Sequence, residues 1–143
     1  MVLKYAKNII NEESIALKKL SVSLNNKFTE AVKILSTNKG NTIITGVGKS
    51  GFIAKKIAST MTSTGTPAIF IHPTEASHGD LGLIQKKDSL IILSKSGKSK
   101  ELFDLSKYAK RKKIPIIFIT CNKDCKLAEN SSCNIVLPDL EEA

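Results

Sequence analysis

Tryptophan is absent, and only two tyrosines and five phenylalanines occur in 143 residues. Side chains flat enough to stack nucleic-acid bases are therefore scarce. Positive charge is plentiful by contrast: 22 basic residues against 13 acidic ones give a net charge of +9. The lysines, however, fall on helical faces and turns (Lys18, Lys19, Lys55, Lys56, Lys107, Lys110, Lys112, Lys113) and do not alternate with aromatics. Nucleic acid is not the expected partner, whereas dispersed positive charge suits phosphorylated small molecules. The three cysteines, Cys121, Cys125 and Cys133, are odd in number and spaced C-x3-C-x7-C. That matches neither a disulfide framework nor a usual zinc pattern, so reduced thiols are expected. No apolar run approaches the roughly 18 residues of a membrane span. Asn8, Asn11, Glu12 and Glu13 also interrupt any signal-like segment at the start. These absences lead to the expectation of a cytoplasmic protein with no membrane partner.

The composition, 41% hydrophobic and 24% charged, is that of a globular protein. A chain of this length buries about 68–70% of the surface it exposes when unfolded, enough for one core. Leu3, Ile10, Leu17 and Leu24 recur every seven residues, so residues 3–23 read as an amphipathic helix. Its apolar stripe is expected in the core of the domain, with a partner subunit as the second choice. A second helix carries Phe28, Ala31, Val32 and Leu35 and ends near Gly40. From there short runs rich in Ile and Val alternate with helical patterns. Strands are expected at 42–45, 67–71, 89–93, 114–120 and 134–137, and helices at 50–64, 99–111 and 123–130, with a helical turn at 75–78. This alternation predicts an α/β fold: a doubly wound, five-stranded parallel sheet with helices on both faces, flavodoxin-like in type. We expect one domain over 1–143, with N-terminal helices in 1–39 and the α/β core in 40–143.

In such sheets ligands sit beyond the carboxyl ends of the strands, where the strand order reverses. Two turns there are built for anions. Ser94-Lys95-Ser96-Gly97-Lys98-Ser99 runs from a strand into a helix start, aiming backbone N–H groups and three hydroxyls at one point. Gly46-Val47-Gly48-Lys49-Ser50-Gly51 does the same after the first strand and satisfies G-x-G-x-x-G. A dinucleotide site needs an acid at the end of the next strand, where His72 stands instead. A P-loop needs glycine at position 43 or 92, where the chain has Ile43 and Ile92. Both turns therefore read as phosphate cradles without a nucleotide. His72 and His78, the only histidines, flank Pro73-Thr74-Glu75-Ala76-Ser77 on the same rim, where imidazole can exchange protons near neutral pH. Glu75 and Asp80 are candidate bases, ranked below Glu101, which begins the helix after the second cradle.

Four stretches resemble the SIS (sugar isomerase) domain: Thr45-Gly-Val-Gly-Lys-Ser-Gly51, Ser63-Thr-Gly-Thr-Pro67, His72-Pro-Thr-Glu-Ala-Ser-His-Gly-Asp-Leu-Gly82 and Ser94-x-Ser-Gly97. More narrowly they resemble the arabinose 5-phosphate isomerase family, which supplies the Kdo precursor for lipopolysaccharide or capsule. The resemblance runs from about residue 40 to the end. It implies an aldose-ketose isomerase interconverting D-arabinose 5-phosphate and D-ribulose 5-phosphate without a cofactor. It also implies that Ser50, Ser94, Ser96 and Ser99 grip the phosphate and that Lys49, Glu101, His78 and Glu142 are catalytic. Gly65, Thr66, His72 and His78 are implied as sugar contacts, with His72 also at an inhibitory divalent-metal site. A homo-oligomer, dimer or tetramer, is implied as well.

Two departures stand out. Relatives carry Glu where this chain has Lys98. They also continue past Glu142 with another histidine and commonly a pair of CBS domains, which leads to the expectation that the 143 residues are either a truncated fragment, inactive by itself, or a short form. The alternative reading is a sugar-phosphate-binding regulatory module that has lost catalysis.

Overall fold

In the computed structural model, residues 1–77 and 79–140 are described. The chain begins with two helices, α1 (Val2–Ser23) and α2 (Asn26–Thr37). Asn25 separates them by accepting the Lys27 N–H on its side chain, which satisfies one of the open amides of the α2 N-terminus. Then β1 (Thr42–Gly46), α3 (Lys49–Ser63), β2 (Ala68–Phe70) and the short α4 (Pro73–Ser77) alternate, followed by a 3-10 turn at Asp80–Leu83. The remainder is β3 (Ser89–Leu93), α5 (Lys100–Arg111), β4 (Ile116–Thr120), a 3-10 turn at Ala128–Asn130 and β5 (Cys133–Val136).

All four strand pairings are parallel, in the order β2-β1-β3-β4-β5. This is the expected doubly wound architecture. β1 and β3 are buried at every position because helices cover both faces. Ile43, Leu90, Ile92, Ile116 and Phe118 face α4 and α5, where Ala76, Leu102 and Leu105 meet them. Ile44, Ile91, Leu93 and Ile117 face the other way, against Ala31 of α2 and Ala54 and Ala58 of α3. Each such isoleucine or leucine contributes about 1.5–3 kcal/mol by leaving water.

Four expectations are corrected. The strand expected at 114–120 starts at Ile116, since Pro115 has no N–H to donate and Lys113 adopts a φ of 59° in the tight exit from α5. The strand expected at 67–71 shrinks to three residues. The helix expected at 123–130 is reduced to one 3-10 turn: the Asn122 side chain accepts the Asp124 N–H at 3.1 Å, a local bond that competes with helix initiation. The apolar stripe of α1 is not in the core of this chain. None of its 22 residues is buried, and Leu3, Ile10 and Leu17 are 69%, 64% and 66% exposed.

Candidate functional site

Gly46 of β1 pairs in register with Leu93 of β3, so the turns leaving these two strands emerge side by side. From β1 the chain departs to β2 on one side, and β3 lies on the other. The strand order therefore reverses between the two turns, the place where such sheets bind ligands.

The first turn is made by close backbone approach. A Cβ on Gly46 would lie 2.9 Å from the Ser50 carbonyl carbon and oxygen, and one on Gly51 would lie 2.8 Å from the Gly46 oxygen. Gly48 has φ 58°, a left-handed conformation that suits glycine, and it caps α3 with no side chain in the way. Lys49 and Ser50 thus open α3 at the rim, Lys49 exposed and Ser50 half-buried, while the amides of Gly51 and Phe52 donate to the Gly48 carbonyl at 3.0 and 3.2 Å.

The second turn is held by side chains. Buried Ser94 accepts the Gly97 N–H on Oγ at 3.1 Å, and Ser96 Oγ accepts the Lys98 N–H at 3.4 Å. Residues at the end of β4 and just after it brace the turn. Thr120 Oγ1 donates to the Lys95 carbonyl at 3.1 Å, and Asn122 Nδ2 donates to the Ser96 carbonyl at 3.0 Å. Gly97, at φ 67°, packs so closely that a Cβ there would stand 2.5 Å from Cys125 Sγ. Ser99 is the N-cap of α5 but makes no side-chain capping bond, which leaves its hydroxyl for other use. Glu101 follows in the first turn of α5, exposed. Ser50, Ser94, Ser96, Ser99, Lys49 and Glu101 are therefore all placed on one rim.

Sequence reasoning did not single out Thr120 and Asn122 as supports of the cradle. No local sequence signal marks them, since the carbonyls they hold lie 25 and 26 residues away. Cys121 also lies here, donating its N–H to the Lys95 carbonyl at 3.1 Å. Burial, and then the Asp139 carboxylate, push its thiol pKa up, with Lys95 acting against them. Beside the turn a cavity of about 430 Å³ is lined by Gly97, Lys98, Ser99, Phe103, Asn122 and Cys125 among others, so Lys98 and the expected phosphate ligand Ser99 border the same space. A larger depression, about 670 Å³, runs along α5 past Leu81, Asp104, Tyr108 and Arg111, and it contains none of the residues expected in the site. The size of a hollow does not mark the switch point here; the strand register does.

Not every expected residue joins this rim. Gly65 and Thr66 follow α3, which runs back across the sheet, and the next residue, Pro67, accepts the N–H of Thr42 at the start of β1. They lie at the amino-terminal edge of the sheet, away from this rim. His72 stands at the end of β2, half-buried, with its Nδ1 accepting the Thr74 N–H at 3.3 Å and its ring edge-on to Phe70. That bond occupies one ring nitrogen, and no group of three metal-binding side chains exists among the described residues. Glu75 is exposed on α4. His78 and Glu142 lie outside the described residues.

Two helix starts side by side at the switch point of a flavodoxin-like parallel sheet define a doubly wound α/β domain. The chain belongs to the SIS domain family, whose model matches residues 34–143. Arabinose 5-phosphate isomerase KdsD of Francisella tularensis is 48% identical over 130 residues, covering 89% of this chain and 40% of the relative. An uncharacterized protein of Rickettsia prowazekii, RP505, is 43% identical over 138 residues, covering 96% of this chain and 43% of its own length. The chain thus spans about two fifths of the curated relatives it matches. Among solved structures, Escherichia coli CFT073 c3406 in complex with arabinose 5-phosphate superposes with a TM-score of 0.91 at 34% identity, over 99% of this chain and 75% of that one. Among the described residues no helix is long and apolar enough to cross a membrane.

Proposed function

We propose that this chain is the phosphosugar-handling part of an aldose-ketose isomerase that interconverts D-arabinose 5-phosphate and D-ribulose 5-phosphate, the step that feeds Kdo synthesis. The observation that carries the reading is the pairing of the glycine-built and serine-built cradles across β1 and β3. The KdsD relatives and the neighbour bound to arabinose 5-phosphate support it.

The 5-phosphate sits between the turns, held by the hydroxyls of Ser50, Ser94, Ser96 and Ser99 and by helix-start amides. Glu101 then removes the proton from the carbon beside the open-chain carbonyl. The resulting enediolate is reprotonated on the neighbouring carbon, and the carbonyl moves to where the hydroxyl stood. Lys49 stabilises the oxyanion as it develops. His78 passes the hydroxyl proton or assists ring opening, and Glu142 contributes from the chain end; these two roles rest on family resemblance alone. Beyond this mechanism, the chain acts as a homo-oligomer. Support comes from the bare stripe of α1. It also comes from Gly65 and Thr66, which at the far edge reach a sugar only from a second copy. A monomeric mass at micromolar concentration by sedimentation overturns that part.

The test is to incubate the purified chain with D-arabinose 5-phosphate in D2O and follow ketose formation and deuterium uptake. Turnover with exchange supports the isomerase. Saturable binding with neither leaves a phosphosugar-binding module, the alternative reading.

A further inference from the structure

Three hydroxyl-bearing residues lie at or beside the carboxyl ends of their strands on one face of the sheet, the face that α5 covers: Thr45 in β1, Ser94 after β3 and Thr120 in β4. All three are buried, at 0%, 6% and 1% exposure. Two of them have clear structural duties. Ser94 Oγ takes the Gly97 N–H, and Thr120 Oγ1 donates to the Lys95 carbonyl and accepts the Asn122 N–H at 3.0 Å. The third does not: Thr45 Oγ1 is a buried side-chain polar atom with no hydrogen-bond partner among the described residues.

Its surroundings make a hydroxyl hard to explain on packing grounds. Thr45 pairs with Ile92, and Ile43, Ile71 and Ile92 share its side of the sheet in one apolar cluster. Valine has the same shape and a methyl in place of the hydroxyl, so it fills such a position without stranding a donor. A buried orphan hydroxyl weakens the fold, and in a native protein it calls for a use. Its location suggests one. Thr45 is the last residue before Gly46, whose backbone is locked against Ser50 and Gly51, so its position is tied rigidly to the first cradle. The hydroxyl is also level with the switch point, on the same face as Ser94.

We propose that Thr45 is a positioning residue of the phosphosugar site, its Oγ1 donating through one bridging water to an oxygen of the bound sugar, not to the phosphate. The proposal rests on the phosphosugar reading above and adds to it a residue that the family resemblance assigns no role. It separates two parts of recognition: serines and helix amides hold the phosphate, and Thr45 fixes the carbon chain from the floor of the site.

The experiment compares Thr45→Val and Thr45→Ser with the wild-type chain by calorimetric titration of D-arabinose 5-phosphate and, separately, inorganic phosphate, with melting temperatures alongside. Thr45→Val is expected to melt no lower than wild type, to lose about fivefold in phosphosugar affinity and to keep its affinity for inorganic phosphate; Thr45→Ser restores sugar binding. A purely structural role would move both affinities together and lower the melting point. Equal phosphosugar affinity in Thr45→Val and wild type overturns this proposal alone, as does parallel loss of both ligands or a lowered melting point. Absence of phosphosugar binding by the wild type overturns the phosphosugar reading together with it.

Discussion

The two turns at the switch point reach the same outcome, a helix start opening on the rim, by opposite construction. The turn between β1 and α3 is made by subtraction: Gly46 and Gly51 remove side chains so that backbone can close on backbone, and Gly48 between them takes a positive φ. The turn between β3 and α5 is made by addition, with hydroxyl and amide side chains on Ser94, Ser96, Thr120 and Asn122 each fastening one backbone group. A subtractive turn is sensitive to any added carbon and indifferent to its neighbours. An additive turn can be dismantled one bond at a time, and because two of its fasteners come from β4 and the segment after it, its shape depends on a third strand.

That contrast sets the order of expected effects. Chemistry comes first, since each turn leads into one charged residue of the proposed mechanism. Glu101→Gln is expected to cut kcat by about 10²–10⁴ and Lys49→Met by about 10²–10³, in steady-state assays with D-arabinose 5-phosphate, while KM changes little. A large rise in KM with unchanged kcat would instead make these residues part of substrate binding. Next come the glycines. Gly97→Ala combines a left-handed φ with a Cβ forced onto Cys125 Sγ, and should lose about 2–4 kcal/mol in urea unfolding. Adding Cys125→Ala should return about 1 kcal/mol of that, a coupling that Gly46→Ala, pressed against backbone, cannot show.

Smaller effects follow from the fasteners. Ser94→Ala strands the buried Gly97 N–H and should cost about 1–3 kcal/mol, whereas Asn122→Ala, nearer the surface, should cost about 0.5–1.5 kcal/mol. Both should weaken inorganic phosphate binding without altering the first turn, which amide exchange of residues 49–52 would report. The smallest effect is one of pH. Cys121 has a folded-state thiol pKa raised above its ordinary value of 9.0, so the unfolded chain ionises first and stability falls as pH rises past that value. Denaturation midpoints from pH 8 to 10 should therefore decline more steeply in wild type than in Cys121→Ala. Equal slopes would remove Cys121 as the cause.

The rim is largely legible in the sequence. Glycine spacing, serine clustering and the failed nucleotide tests at Ile43, Ile92 and His72 depend on residues close along the chain, and the turns they describe are local. Supports from elsewhere are not legible: Thr120 and Asn122 act across 25 and 26 residues, on carbonyls that carry no sequence signature. Gly65 and Thr66 fall away from the rim because a motif records which residues matter and omits which edge of a sheet they occupy. Only the direction of α3, running back from rim to base, decides that.

The same division holds for helices. α1 and α5 both carry an apolar face written in helical period, and that period alone is sufficient to make each a helix. α5 buries Leu102, Leu105, Ser106 and Ala109 against the sheet, while α1 buries nothing. Periodicity determines that a segment coils and that one face seeks cover, because these follow from backbone geometry and the aversion of carbon to water. Which surface supplies the cover, which hydroxyl finds a partner and which, like that of Thr45, is left without one are settled only when distant strands come into register.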